Sequence, residues 1–366
     1  MKSKLTRQSN VEILRILACF IVISVHIKLG MTRDDGTIDL GRTLISCLVA
    51  DGVGVFWMIS GFFISRPIKS YSKHLTKSFK TILLPALIYS AFLMFYNKYA
   101  NGVSTAEIID SLKFNVSHLR EYMYASSHLW YIIIYTFIIL LQPLIVQAIN
   151  YLDEHPRGWN VFIPVVFALF VWNDFTNNEL FEFSHHTINA LVPAISIIFI
   201  GHWLYKYILP MINIKTSFVC LIIFVAAIIL RTYCFAYAFK KSGSIELLYW
   251  YTSLGVVCEA SLSLFVISVF EKCKSVPINF IASLTYRIYL VHMFVVVKLR
   301  DFDFGTRLGN MLEKAFSSTS LVFELAYTFI FALAVFVISA LISIIWSEIA
   351  KLFYKILEIV HKKKEV

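Results

Sequence analysis

NVEILRILACFIVISVHIKLG, residues 10–30, is the first long apolar run of the chain. It matches the roughly 20 predominantly apolar residues that a helix needs to cross a bilayer. Yet it carries Glu12, Arg15 and His26. Arg15 and His26 are eleven residues apart, which is about three turns of helix, so both side chains fall on one face. The rise of about 1.5 Å per residue separates them by ~16 Å along the axis. One face thus holds a fixed cation near one end and a titratable base near the other. Ionisable residues at membrane depth point to a functional site. The plainer reading is that Arg15 snorkels to the headgroups and His26 sits at the opposite interface. Glu12 and Arg15, spaced i, i+3, also read as an ordinary intrahelical ion pair.

The rest of the chain repeats the pattern. Hydrophobic residues make up 58% of the 366 and charged residues only 15%, against about 25% charged in a soluble domain. The composition reads as one integral membrane domain over 1–366. Apolar runs of spanning length fall at 10–30, 43–64, 79–97, 128–149, 161–173, 187–205, 216–238, 247–270, 279–297 and 319–347. The expected fold is therefore an all-α bundle of about ten transmembrane helices, the fifth run being the shortest. An even number of spans puts both termini on one side. Lys and Arg concentrate in the segments sharing that side, among them Lys2, Lys4, Arg7, Arg66, Lys69, Lys73, Lys77, Lys80 and Lys362 to Lys364. The positive-inside rule makes that side cytoplasmic. The formal charge of +10 is then explained by anchoring beside anionic lipid rather than by nucleic-acid binding.

The first run is too long for a cleavable signal, and no small-residue cleavage pattern follows it. The six cysteines lie in or beside apolar runs without metal-ligand spacing, and read as packing residues. The outer loop 98–127 holds Ser104-Thr105-Ala106-Glu107, a capping-box-like helix start. A basic cytoplasmic tail, 348–366, follows the tenth run.

Several polar residues inside the runs require an account. Ser60-Gly61, within FWMISGFF at 56–63, fits either a close helix–helix contact through small residues or an approach of backbone to a ligand. His128-Leu129-Trp130-Tyr131 opens the fourth run. An aromatic interfacial belt explains Trp130 and Tyr131, which leaves His128 suggestive. Arg231 and Glu259 lie in the seventh and eighth runs. Glu259 either pairs with a cation or carries a proton. Arg287 and His292 lie in the ninth, within YRIYLVH at 286–292, where a lone histidine is more often a hydrogen-bonded packing residue than a catalyst.

Taken in order, these stretches resemble the acyltransferase 3 family of membrane O-acyltransferases over nearly the whole chain. Arg15 and His26 meet the family's basic-residue–x10–histidine motif, preceded by an acid, Glu12. Phe56 to Gly61 approximates its Phe-Phe-x-x-Ser-Gly signature, His128 to Tyr131 its His-Leu-Trp-aromatic start, and Tyr289 to His292 its Tyr-Leu-x-His. Two departures stand out. Lys77 and Lys80 occupy the places of an Arg-x-x-Arg pair, and lysine lacks the planar fork suited to phosphate. No acid follows His26 closely, since position 29 is a leucine and Asp34 the nearest acid. Glu259 and Glu324 are candidates by chemistry alone for the partner of His26.

The resemblance implies a multi-pass protein of a bacterial plasma membrane. It implies no permanently bound cofactor, with acetyl-CoA or another acyl-CoA as co-substrate on the cytoplasmic side. The acceptor it implies is a hydroxyl of a cell-surface or lipid-linked glycan. Under it His26 is the general base, with Glu12 and Ser60 beside it in catalysis and Ser60 or the backbone at Gly61 as oxyanion donor. Arg15, Arg66, Lys77 and Lys80 hold the CoA phosphates. His128, Trp130, Tyr131, Tyr289, His292 and Glu259 are the candidates for acceptor contact. Outer-loop residues Tyr122, Tyr124, Trp172, Asp174, Glu179 and Glu182 are suited to stacking on and hydrogen bonding a sugar, or simply decorate the interface. With no soluble esterase-like domain after the tenth run, any second transfer step is expected to use a separate protein. The rival classes are a transporter or flippase, whose path polar residues would equally line, and a structural partner in a polysaccharide synthase complex.

Overall fold

The computed structural model describes residues 8–33, 35–66, 68–100, 102, 104–106, 128–176, 190–242, 252–317 and 320–364. Most of the 98–127 loop, with Tyr122, Tyr124, Glu179 and Glu182, lies outside them. Among the described residues there are helices and no strand, only a single bridge between Thr32 and Ile38. The helices are α1 (Ser9–Ile27), α2 (Leu40–Leu48), α3 (Gly52–Ile64), α4 (Tyr71–Ser78), α5 (Leu84–Ala100), α6 (Trp130–Glu154), α7 (Arg157–Phe175), α8 (Leu191–Trp203), α9 (Ile214–Ser242), α10 (Ser253–Val269), α11 (Val276–Asp301), α12 (Phe304–Glu313) and α13 (Leu321–Lys364). The chain is an all-α membrane bundle. Nine helical segments of the described residues are long and apolar enough to span, and α10 is a shorter tenth.

α1 is the central helix. It packs against α11, α3, α13 and α10 at once, which explains how one helix can bury Val11, Leu14, Ala18 and Ile23 on several sides. Its registry with α11 is constant. The Ser275 amide donates to Ser9 Oγ at 3.0 Å, and Cys19 Sγ approaches the Thr285 carbonyl at 3.7 Å. The two helices thus run parallel with matching residues 266 positions apart. The end of the bundle where α1 begins is called the near end below, and the other the far end.

Three expectations need adjustment. The second run is not one helix, because Val49–Asp51 breaks it into α2 and α3. Asp51 has a reason to leave the helix: its carboxylate receives Arg231 of α9 at 2.5 Å. The shortest span is the eighth, α10 with 17 residues, and the fifth reaches 20. At 1.5 Å per residue α10 covers about 26 Å, less than the ~30 Å hydrocarbon core. The basic tail is no separate element, since the backbone of α13 stays helical as far as Lys364.

Small residues set how closely the helices approach. A Cβ on Gly61 would lie 2.2 Å from the Ile198 carbonyl oxygen, and one on Gly201 2.5 Å from that of Met58. α3 and α8 therefore cross in backbone contact. Of the two readings of Gly61, the helix–helix contact is the one realised. Between α4 and α5 the chain widens into a π-helical turn, Phe79–Leu83, just before Pro85, which has no N–H to offer a regular turn. The Tyr286 hydroxyl donates to the Ile82 carbonyl inside that turn at 2.5 Å.

Candidate functional site

A cavity of about 470 Å³ opens between α1, α3, α4, α6 and α11, within the ~300–1,000 Å³ of small-molecule sites. Each helix presents one face to it. α6 contributes Tyr131, Tyr135, Ile138, Ile139 and Gln142, a helical stripe whose ends are ~16 Å apart along the axis. α11 contributes Ala282, Ser283, Thr285, Tyr286 and Tyr289. Arg15 stands on the α1 side, and Phe56, Ser60 and Phe63 on the α3 side. The walls are mostly apolar and aromatic. Trp57 and Tyr131 stack at 4.4 Å, and Tyr131 stacks on Tyr135 at 5.8 Å.

The Arg15 guanidinium reaches Glu12 at 2.6 Å and keeps a quarter of its side-chain surface exposed. The intrahelical pair is thus formed, and it stands at the cavity. Arg15 is not merely stretched toward headgroups.

Beyond Tyr289, toward the far end, lie three histidines from three motifs: His26 of α1, His292 of α11, and His128 just before α6. The rings of His26 and His292 are 5.3 Å apart between centroids, and those of His128 and His292 4.7 Å. His26 and His292 keep the registry of α1 and α11 seen at Ser9 and Cys19. Tyr289 packs against both His128 (5.3 Å) and His292 (5.6 Å), and against Tyr131 at 5.5 Å. It therefore separates the cavity from the histidines, touching both. His292 is fully buried and His128 nearly so.

Hydrogen bonds sort the three. His128 Nε2 lies 3.1 Å from the Leu290 carbonyl, which can only accept, so Nε2 carries the hydrogen. The Tyr289 hydroxyl donates back to the His128 carbonyl. His128 and Tyr289 together staple the start of α6 to α11. His292 Nδ1 lies 2.6 Å from the Tyr289 carbonyl, and by the same logic Nδ1 carries its hydrogen. Arg300 fixes the last turn of α1, donating from Nη2 to the His26 carbonyl at 2.8 Å. A cation at the C-terminus of a helix also suits its dipole.

Other candidates fall elsewhere. Ser60 lines the cavity, but its hydroxyl donates to the Phe56 carbonyl at 2.9 Å. Gly52 packs against Ala18 and Val22 of α1, and eight residues of helix, about 12 Å, carry α3 from there to Ser60 toward the near end. Ser60 is thus brought to Arg15 rather than to His26. Glu12, fourteen residues before His26, is ~21 Å from it along α1. Trp130 packs into the core beside α3 and α8 and is not among the cavity residues. Arg66, Lys77 and Lys80 are exposed side chains outside the cavity lining, Arg66 capping the Phe63 ring at 4.5 Å. The residue of that segment that does reach the cavity is His74.

The two acids considered for orienting His26 are engaged elsewhere. Glu324 accepts from Arg42 at 2.9 Å. Glu259 is buried against Gly54, where any Cβ would collide with its carboxylate, in the neighbourhood of the Asp51–Arg231 pair. Asp51 was not singled out in the sequence, although an Asp-Gly inside an apolar run was the available signal. A second cluster also lacked notice: Asp153 accepts from His202 (3.1 Å), Lys206 (2.7 Å) and Tyr207 (2.9 Å), and from the Trp159 indole at 3.2 Å. It ties α6 to α7 and α8 at the near end. Trp172 is exposed at the end of α7, while Asp174 accepts from the Ser253 hydroxyl at 2.5 Å and so braces α10.

The described residues thus form a membrane-spanning bundle with an aromatic cavity between Arg15 and Tyr289, and three histidines gathered behind Tyr289. The sequence model of the acyltransferase domain, acyltransferase 3, matches residues 8–346. This chain belongs to that family and is a membrane acyltransferase. No curated protein and no solved structure matches it.

Proposed function

We propose that this protein is an O-acyltransferase that moves an acetyl group from cytoplasmic acetyl-CoA to a hydroxyl of a cell-surface or lipid-linked glycan in a plasma membrane. The observation that carries the reading is the continuity of the cavity, from Arg15 at one end to Tyr289 and, behind it, His26. The excess of Lys and Arg on the near side supports placing that side in the cytoplasm. CoA then enters from the near end with Arg15 beside its phosphates, helped by the exposed Arg66, Lys77 and Lys80 at the rim. The pantetheine arm lies along the tyrosine-lined stripe of α6, whose ~16 Å matches the distance from Arg15 to His26. The thioester reaches the level of Tyr289.

There His26 takes the proton of the acceptor hydroxyl as its oxygen attacks the thioester carbonyl. The C–O bond forms, the C–S bond breaks, and the proton held on His26 passes to the departing thiolate. The acceptor approaches from the far end, where Trp172 offers an exposed aromatic surface. Tyr289 stands between the two approaches. Serine attack is disfavoured, because Ser60 lies at the level of Arg15 with its hydroxyl committed to Phe56.

The test is His26→Ala in membranes supplied with acetyl-labelled acetyl-CoA, with mass spectrometry of the cell-surface glycan. Loss of label transfer and of one acetyl mass from the glycan, in a protein that is still inserted and folded, is expected. Transfer at the normal rate would refute the assignment of the base, and an unchanged glycan alongside lost transfer would refute the acceptor.

A further inference from the structure

Gln142 of α6 and His74 of α4 line the near end of the cavity with Arg15, and the transfer step uses neither. Their depth follows from three contacts. Tyr131 packs on Tyr289, which the registry of α1 on α11 places beside Ile23. Gln142 lies eleven residues from Tyr131 toward the near end, ~16 Å along α6, and Arg15 eight residues from Ile23, ~12 Å along α1. The two therefore differ in depth by less than about one helical turn. α4 meets α6 at the same height, because the Tyr71 hydroxyl donates to the Leu140 carbonyl at 2.8 Å. His74 follows Tyr71 by three residues and so shares its face of α4.

The polar groups of the cavity divide into those already engaged and those that are not. The hydroxyls of Ser60 and Ser283 donate to the Phe56 and Phe280 carbonyls of their own helices, and that of Tyr286 to the Ile82 carbonyl. Tyr135 stands about two turns deeper along α6 than Gln142. His74 is half-buried, and its Nε2 is enclosed without a hydrogen-bond partner, a costly state for a polar nitrogen. Lys77 and Lys80 of the same segment are exposed and outside the cavity lining, so they do not take its place. A neutral imidazole with hydrogen on Nε2 is a donor, as is the amide nitrogen of Gln142. The Arg15 guanidinium has N–H donors beyond Nη1, which serves Glu12. Three donors from α4, α6 and α1 thus gather at one level, ~16 Å from Tyr289. They suit a group that accepts hydrogen bonds and carries negative charge.

We propose that His74 and Gln142 are donor-binding residues that grip the diphosphate of CoA beside Arg15. His74 donates from Nε2 and Gln142 from its amide to the phosphate oxygens. The pantetheine arm then runs along the tyrosine-lined face of α6 and sets the thioester at the level of Tyr289. The assignment rests on CoA entering from the near end. It adds that the protein recognises its donor through the diphosphate rather than through the acyl group.

Two donors test it. Acetyl-CoA carries the diphosphate, and S-acetylpantetheine carries the same arm and thioester without any phosphate. Membranes containing full-length His74→Ala, His74→Gln and Gln142→Ala are assayed for acetyl transfer from each donor. CoA affinity is measured by calorimetry in detergent, with thermal unfolding beside it. A hydrogen bond to a charged group is worth about 10-fold or more. Each alanine variant should raise KM for acetyl-CoA and Kd for CoA by about 10-fold. The change in kcat should be no more than about twofold, and KM for S-acetylpantetheine should match the wild type. His74→Gln, whose amide nitrogen can stand near the place of Nε2, should recover most of the affinity for CoA. Wild-type KM and Kd in both alanine variants would overturn the grip and leave the acetyl-CoA reaction standing. An equal rise in KM with both donors would move the contact to the pantetheine arm or to packing, and would overturn the diphosphate assignment. A wild-type protein that neither binds CoA nor transfers from acetyl-CoA would remove the donor reading itself, and the proposal with it.

Discussion

Gly61→Ala adds one methyl group at the point where α3 and α8 touch. The new carbon would stand 2.2 Å from the Ile198 carbonyl oxygen and 2.8 Å from the His202 amide nitrogen. Both are backbone atoms, so no rotamer change relieves the clash. Ordinary contact begins near 3.4 Å, and the helices must therefore part by about 1 Å. Overpacking of a tight interior costs about 1–3 kcal/mol, and a backbone-to-backbone contact belongs at the upper end. A loss of about 3 kcal/mol is roughly 100-fold in the folded-to-unfolded ratio. The displacement also moves Ile59, Ser60 and Phe63, which line the cavity, so acetyl-CoA turnover should fall with stability. The assay is thermal unfolding of the purified protein in detergent beside acetyl transfer in membranes. Gly309→Ala is the control, because a Cβ there meets nothing within 4 Å and alanine favours a helix by up to about 1 kcal/mol. If Gly61→Ala melts at the wild-type temperature, the close crossing of α3 and α8 is wrong.

Two further substitutions probe the charges. Arg15→Glu replaces the cation at the cavity with a second carboxylate beside Glu12, and a lost charge-assisted bond of about 1.5–3 kcal/mol should raise KM for acetyl-CoA by about 10- to 100-fold. Steady-state kinetics with unchanged KM and kcat would remove Arg15 from donor binding. Arg231→Ala leaves Asp51 buried without its 2.5 Å partner and should cost about 3–5 kcal/mol, seen as a lower melting temperature in detergent. Adding Asp51→Ala should restore much of that loss, and an additive double mutant would disprove the pairing.

The membrane class was legible because it depends on composition and run length, quantities that a bilayer reads residue by residue. The Arg15–His26 face was legible because helical period alone fixes it. What sequence could not place is whatever depends on how helices from distant parts of the chain meet. Asp51 and Arg231 are 180 positions apart, and nothing local in either marks the other. Lys77 and Lys80 were marked by motif and are exposed, while His74 of the same segment, which no motif marked, reaches the cavity. Glu259 looked like a site residue because a carboxylate in an apolar run is costly. Its place could not be read from sequence either: it packs in the space that Gly54 leaves.

The two ends of α1 were read from one helix, but each acquires its chemistry from a different partner. At Arg15 the neighbours come from α3 and α6, and they are tyrosines, phenylalanines and aliphatics around an open volume. At His26 the described neighbours include His292 and Arg300 of α11, and His292 has no exposed surface. Under the proposed reaction, the donor thioester enters along the first part of α1 and reacts at the second, with Tyr289 yielding only to the two substrates. Tyr289 is suited to that position because its hydroxyl is tied to the His128 carbonyl and its own carbonyl to His292. Moving its side chain releases the start of α6, while its backbone keeps hold of His292. Entry of substrate and orientation of the histidines are thereby joined in a single residue, one that the sequence marked only as the tyrosine of a short motif.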